Sequence, residues 1–195
     1  MSRKGEVKRT TKETEINTCL ELEGSGKSDI STGIGFFDHM LEGFAKHGLF
    51  DLILSCKGDL DVDGHHSVED CGIVLGNAIK KAVGDKAGIN RYGYFILPMD
   101  DALVLCAVDL CSRPYFSFDL EFPQSSCGGM DMALIREFFY AVSYSGEMNL
   151  HLKMISGLNS HHIAEAAFKA FAKSLKMAVS KDPRITDVLS TKGVL

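Results

Sequence analysis

His65-His66-Ser67-Val68-Glu69 recurs 96 positions later as His161-His162-Ile163-Ala164-Glu165, and these two stretches take four of the chain's seven histidines. Imidazole nitrogens beside carboxylate oxygens are the donors a divalent transition metal prefers. On a helix, Glu69 stands one turn beyond His65 (i+4) and His66 (i+3), on a shared face. Adjacent histidines point about 100° apart on a helix, or to opposite sides of an extended chain. One pair is therefore poorly suited to chelating one ion, but it can serve two. Two copies supply four His and two Glu, a donor set for a two-metal site. A doubled histidine at a helix start can be incidental; two copies at matched spacing argue against that.

The shift of 96 superposes more than the histidines. After the first pair come Cys71, Val74, Leu75, Ala78, Ile79, Ala82 and Val83. After the second come Ala167, Ala170, Phe171, Ser174, Leu175, Ala178 and Val179. Both sets follow the alternating 3, 4 spacing of one helix face. Each pair thus opens a core-packed helix, and Ser67 with Asp70 reads as a capping box on the first. An earlier helix precedes each pair. One runs from Phe36 to His47, with Gly48 as its stop; the other runs from Met132 to Tyr144. His39 on the first and Glu137 on the second are counterparts, both competent to bind metal.

Alternation at Ile16, Thr18, Leu20 and Leu22 marks a half-buried strand. Residues 50–55, 94–97, 103–110, 115–120 and 150–155 are further strand candidates. Each half reads as strands, helix, strand, helix. The expected fold class is α+β: two duplicated βα halves, each a mixed sheet with helices packed on one face. The halves span about residues 1–88 and 89–180 of a single domain, with a seam near Lys86–Asn90 and a polar tail over 181–195.

Composition narrows the function classes. The chain has 195 residues, 45% hydrophobic and 24% charged, enough for a substantial core. Its net charge of −5 and short basic pairs at Arg3-Lys4 and Lys8-Arg9 argue against nucleic acid as a partner. Six cysteines without CxxC or framework spacing read as reduced thiols of a cytoplasmic protein. No apolar run reaches membrane-span length, and the charged N-terminus lacks a signal-peptide core, so no membrane partner is expected.

At this point the residues resemble a known family, imidazoleglycerol-phosphate dehydratase. The likeness runs through Phe36-Phe37-Asp38-His39-Met40, Asp63 to Ile73, Pro98-Met99-Asp100-Asp101-Ala102 and Ser112-Arg113-Pro114-Tyr115. It continues in Asn159 to Ala166, Phe168-Lys169-Ala170-Phe171 and the ending Ser190-Thr191-Lys192-Gly193-Val194-Leu195. The resemblance implies dehydration of imidazole glycerol phosphate to imidazole acetol phosphate in histidine biosynthesis, with two Mn²⁺ ions. It also implies a homo-oligomer of 24 subunits whose metal sites are completed by neighbouring chains. The implied metal ligands are His39, His65, His66, Glu69, Glu137, His161, His162 and Glu165. Glu137 departs from the pattern, since many relatives carry His directly before the second Phe-Phe. His151 is an alternative ligand, although its strand pattern reads as structural. His47, near a helix end, reads as a surface or dipole-stabilising residue.

The implied reaction makes its own demands. The hydrogen to be removed sits on a carbinol carbon with no carbonyl beside it, so it is not acidic. The departing hydroxyl, however, is on the carbon attached to the imidazole. A ring bound to metal as imidazolate can expel it, giving a diazafulvene-like intermediate; loss of the neighbouring C–H proton then yields an enol that becomes the ketone. Two metals would template the ring and stabilise charge. Proton transfer needs a positioned side chain. The resemblance points to Glu13, with Glu69 and Glu165 close by. Asp100 and Asp101 are candidates for orienting histidine side chains or for a structural role. For the phosphate it points to Arg91, Arg113, Lys169, Ser190 and Lys192. Two other readings share the donor set: a di-metal phosphoester hydrolase, and a metal-dependent assembly protein.

Overall fold

The computed structural model describes residues 3–195. Its elements are β1 (Lys4–Thr10), β2 (Thr14–Glu21), β3 (Ser28–Ser31), α1 (Gly35–Gly48), β4 (Asp51–Gly58), α2 (His65–Val83), β5 (Tyr92–Met99), β6 (Ala102–Asp109), β7 (Tyr115–Asp119), a short β8–β9 ribbon (Ser126–Cys127, Met130–Asp131), α3 (Ala133–Ser145), β10 (Asn149–Ser156) and α4 (Ser160–Val179). The two large sheets have the same strand order, β1-β2-β4-β3 and β5-β6-β10-β7. In each, the first three strands are antiparallel and the last pair is parallel. The expected α+β duplication is what the chain adopts.

Alternation explains which sheet face is covered. Along β2, Thr14, Ile16, Thr18 and Leu20 are buried, while Glu15, Asn17, Cys19 and Glu21 are exposed or half-buried. The buried face of the first sheet lies against α2, and that of the second lies against α4. The helices then pack across the halves, α1 on α4 and α2 on α3. The core is therefore a helical layer between two sheets. Phe37, Phe138 and Phe168 meet at its centre, with ring centroids 5.2 Å apart for the first pair and 5.1 Å for the last two. Each such ring contributes about 1.5–3 kcal/mol by leaving water.

Glycines set how closely the layers approach. A Cβ on Gly5 of β1 would fall 1.9 Å from the Ala78 carbonyl oxygen of α2, and one on Gly93 of β5 would fall 1.8 Å from that of Ser174 in α4. Ala78 and Ser174 are equivalent under the duplication, so both halves press an edge strand directly onto a helix. The helix crossings differ. A Cβ on Gly72 or Gly76 of α2 would meet the Phe138 or Val142 carbonyl of α3 at 2.6 and 2.7 Å. In α4 the matching positions are Phe168 and Ala172.

Two local expectations are corrected. The capping box is not formed: α2 begins at His65, so Ser67 is already inside its first turn. The helix start is held instead by Asp63, whose Oδ1 accepts from the His65 amide at 2.7 Å. Asp70 turns to the first sheet, accepting from Thr14 Oγ1 at 2.5 Å and pairing with Arg9 at 3.0 Å. Nor does Gly48 stop α1. It is the last helical residue, and Leu49 takes the left-handed conformation at φ 53°.

The polar tail is tied to the seam between the halves. Ala87 bridges to Val188 and Ile89 to Lys181. Arg91 adds a side-chain bond to the Leu189 carbonyl at 2.8 Å.

Candidate active site

The helix starts gather the expected ligands, but across the halves rather than within them. His39 is the fifth residue of α1 and Glu137 the fifth of α3. Because α1 packs on α4, His39 stands beside the second histidine pair. Its Nε2 is 3.9 Å from Glu165 Oε1, and His161 Nε2 is 3.5 Å from Glu165 Oε2. One donor atom from each of His39, His161 and Glu165 fits within a 4.8 Å span. Among the described residues this is the one three-member group of that kind.

Packing of α2 on α3 places His65 opposite Glu137 in the related position. Both line a cavity of about 620 Å³ with Asp63, Gly64, Asp131 and Leu134. His65 Nε2 lies 3.8 Å from Glu69 Oε2. These side chains do not form a three-member group within that span, and Glu137 pairs with Arg136 at 3.1 Å.

The second histidine of each pair points away from these groups. His66 Nδ1 meets Asp59 at 3.0 Å, with Glu13 3.9 Å from its Nε2. His162 Nδ1 meets Asp101 at 2.6 Å, with Asp100 3.6 Å from its Nε2. The bond to Asp59 raises the His66 pKa, and the bond to Asp101 raises that of His162. The Asp101 carboxyl is held well below the usual range by His162, then by the Leu158 and Asn159 amides. Asp101 was visible in the sequence as a candidate for orienting a histidine or for structure, and it contacts both His162 and the backbone before α4; Asp59 was not visible. It is one of three alternating aspartates, Asp59, Asp61 and Asp63, and nothing in that pattern singles it out.

Glu165 is mostly buried, with a side chain 12% exposed. Burial alone would raise its pKa, but the hydrogen bond and charge of Lys169, with His39 and His161 nearby, leave it lowered. Lys169 Nζ sits 2.7 Å from Glu165 Oε1, the oxygen that also lies nearest His39. The imidazole and carboxylate donors here suit a divalent transition metal.

The other expected anion-binding residues lie elsewhere. Arg91 is buried at φ 67° and grips Asp109 with Nε at 2.7 Å and Nη2 at 3.1 Å. That bond raises its pKa. It lines a cavity of about 460 Å³ with Tyr92, Leu189, Ser190 and Thr191. Ser190 Oγ accepts from the Lys192 amide at 3.2 Å. Arg113 is exposed beside the Cys111 carbonyl. Within one chain, then, Arg91 and Ser190 share a cavity, while Lys169 is with the His39 group. His151 faces outward from β10 against Tyr115, with ring centroids 5.5 Å apart, away from the histidine pairs.

A family model described as imidazoleglycerol-phosphate dehydratase matches residues 32–175. The imidazoleglycerol-phosphate dehydratase of Lachnoclostridium phytofermentans is 57% identical over 195 residues, all of both chains. That of Acetivibrio thermocellus is 56% identical over the same span. The crystal structure of the Staphylococcus aureus dehydratase superposes with a TM-score of 0.83 at 35% identity, covering 92% of this chain and 99% of that one. The Pyrococcus furiosus structure, solved in complex with (S)-C348, gives 0.84 at 38% identity over 97% of this chain and 100% of its own. The chain belongs to the imidazoleglycerol-phosphate dehydratase family of hydro-lyases.

Proposed function

We propose that this enzyme of histidine biosynthesis removes water from imidazole glycerol phosphate to give imidazole acetol phosphate, using two Mn²⁺ ions. The observation that carries the metal reading is the convergence of His39, His161 and Glu165 from opposite halves, donor atoms within 4.8 Å. His65, Glu69 and Glu137 form the related set, and His66 and His162 offer Nε2 atoms directed away from both. Bound manganese would supply Lewis-acid charge and a template for the imidazole ring.

The chain's own residues account for the remaining steps. Glu13, exposed beside His66, is the proton carrier: once hydroxide has left the ring-bearing carbon to give a diazafulvene-like form, its carboxylate takes the C–H proton of the carbinol carbon, leaving the enol that becomes the ketone. Arg91, Arg113, Lys169, Ser190 and Lys192 are assigned to the phosphate. Their dispersal over one chain supports a site assembled from several chains, as does the outward aim of His66 and His162. We take the assembly to be a homo-oligomer of 24 subunits in the cytoplasm. Among the described residues no helix is long and apolar enough to cross a membrane, and all six cysteines are free thiols.

The test is an assay of metal-stripped, full-length protein on imidazole glycerol phosphate, before and after Mn²⁺, following imidazole acetol phosphate. Turnover only with metal supports the reading. No turnover with manganese demonstrably bound sinks it.

A further inference from the structure

Two carboxylates outside the ligand set make the same contact in the two halves. Asp59 reaches His66 Nδ1 with both oxygens, at 3.2 and 3.0 Å. Asp101 reaches His162 Nδ1 with one, at 2.6 Å. An ionised carboxylate only accepts, so each Nδ1 carries the hydrogen and each neutral ring keeps its free lone pair on Nε2. We propose that Asp59 and Asp101 are positioning residues that fix the tautomer and direction of His66 and His162 for a divalent metal. This rests on the reading of those histidines as ligands.

The origin of the two aspartates strengthens the inference. Asp59 follows β4 and leads to α2, whereas Asp101 lies in the turn between β5 and β6. Those segments are not equivalent. The counterpart of the β5–β6 turn is the β1–β2 connection, which carries Glu13 and places it near His66 Nε2. A contact merely inherited by duplication would come from matching positions. Here different segments deliver the same group to the same ring nitrogen, so the requirement lies with the histidine.

The two aspartates differ in what else they hold. Asp101 Oδ2 also accepts from the Leu158 and Asn159 amides at 2.6 and 3.0 Å, bracing the entry to α4. Its turn has Asp100 at φ 48°, a conformation uncommon for a non-glycine residue. The side-chain hydrogen bonds of Asp59 go to His66. Asp59 therefore separates positioning from folding, and Asp101 does not.

The experiment compares wild type, Asp59→Asn, Asp59→Ala and Asp61→Asn, each full-length and metal-stripped. Free Mn²⁺ is titrated by its electron paramagnetic resonance signal, and thermal melting is recorded without metal. Loss of such an outer partner weakens metal binding about 10–100-fold. That fall is expected for both Asp59 variants, with melting unchanged and Asp61→Asn close to wild type. Wild-type affinity in both folded Asp59 variants would overturn the proposal. So would an equal loss in Asp61→Asn, which would mean that general negative charge is responsible. If wild type itself binds no manganese, the metal reading fails first, and that outcome is distinct from either.

Discussion

Lys169 and Glu165 form an ion pair at 2.7 Å, one helical turn apart, with side chains only 14% and 12% exposed. Removing the lysine leaves a carboxylate with little access to water. Lys169→Met is expected to destabilise the metal-free protein, by up to about 3–5 kcal/mol, the scale for leaving a buried charge unpaired. Because the ammonium competes for the same oxygen, the variant should bind Mn²⁺ at least as tightly as wild type and regain stability when metal is added. Melting with and without Mn²⁺ checks this; weaker manganese binding would contradict the competition. The Michaelis constant for imidazole glycerol phosphate should rise as well, through lost phosphate charge.

Glu137 stands where α3 mirrors the His39 position of α1, so its role is testable by exchange. Glu137→Gln keeps the shape and removes the charge, and is expected to lower activity by about 10–100-fold or more, the scale lost even with an outer partner of a ligand. Glu137→His restores a metal donor and should recover part of it. Full activity in Glu137→Gln would remove this residue from the ligand set.

If the sites are shared between chains as proposed, His65→Ala and His162→Ala are expected to lose activity and disturb the large assembly together. Sedimentation and activity measured on the same preparations decide the matter. Retention of both in either variant counts against shared sites.

Gly93 leaves no room for a methyl group, with the Ser174 carbonyl 1.8 Å from where its Cβ would sit. Gly93→Ala must push β5 off α4, at roughly 1–3 kcal/mol or more. Gly5→Ala should behave alike against Ala78, while Gly129→Ala, at a site open to solvent but left-handed (φ 82°), should cost less. Urea denaturation ranks the three.

Acid stability should depend in part on Asp51. Its carboxyl accepts from the Lys27 amide at 2.9 Å and the Ser25 amide at 2.7 Å, which lowers its pKa from 3.8. A lowered folded-state pKa gives stability that is present above the unfolded value and is lost as pH falls through the folded one. Asp51→Asn should therefore flatten the fall in melting temperature below about pH 4. An unchanged acid limb would exclude this carboxylate as a contributor.

The halves and their principal helices were legible because periodicity is local: apolar residues every three or four positions declare a helix face in one dimension. β1 was not. Lys4–Thr10 offers Val7 as its only large apolar residue, and what presses inward is Gly5, which carries no hydrophobic signal. β3 is four residues long, and only Ile30 among them is apolar. The candidate donor residues were readable for the same local reason, but not which of them the fold brings together. That His39 answers to His161 rather than to His65 follows from α1 lying on α4, a tertiary choice that neither spacing nor resemblance within one half encodes. The Ser67 cap failed because Asp63, two residues before His65, had already claimed the helix start.

The crossed pairing of helices has a consequence for a half-chain. One half alone would carry His39 on one helix and a histidine pair on another, with neither facing its complement. It would have to find a second molecule, at a cost set by protein concentration. Fusing the halves replaces that encounter with a tether, whose short connection at residues 84–91 holds the complementary helix ends at an effective concentration in the millimolar range or above. The duplicated chain has thus converted one bimolecular association into an internal one: His39, His161 and Glu165 come together whenever the chain folds, and only contributions from neighbouring chains would still depend on protein concentration.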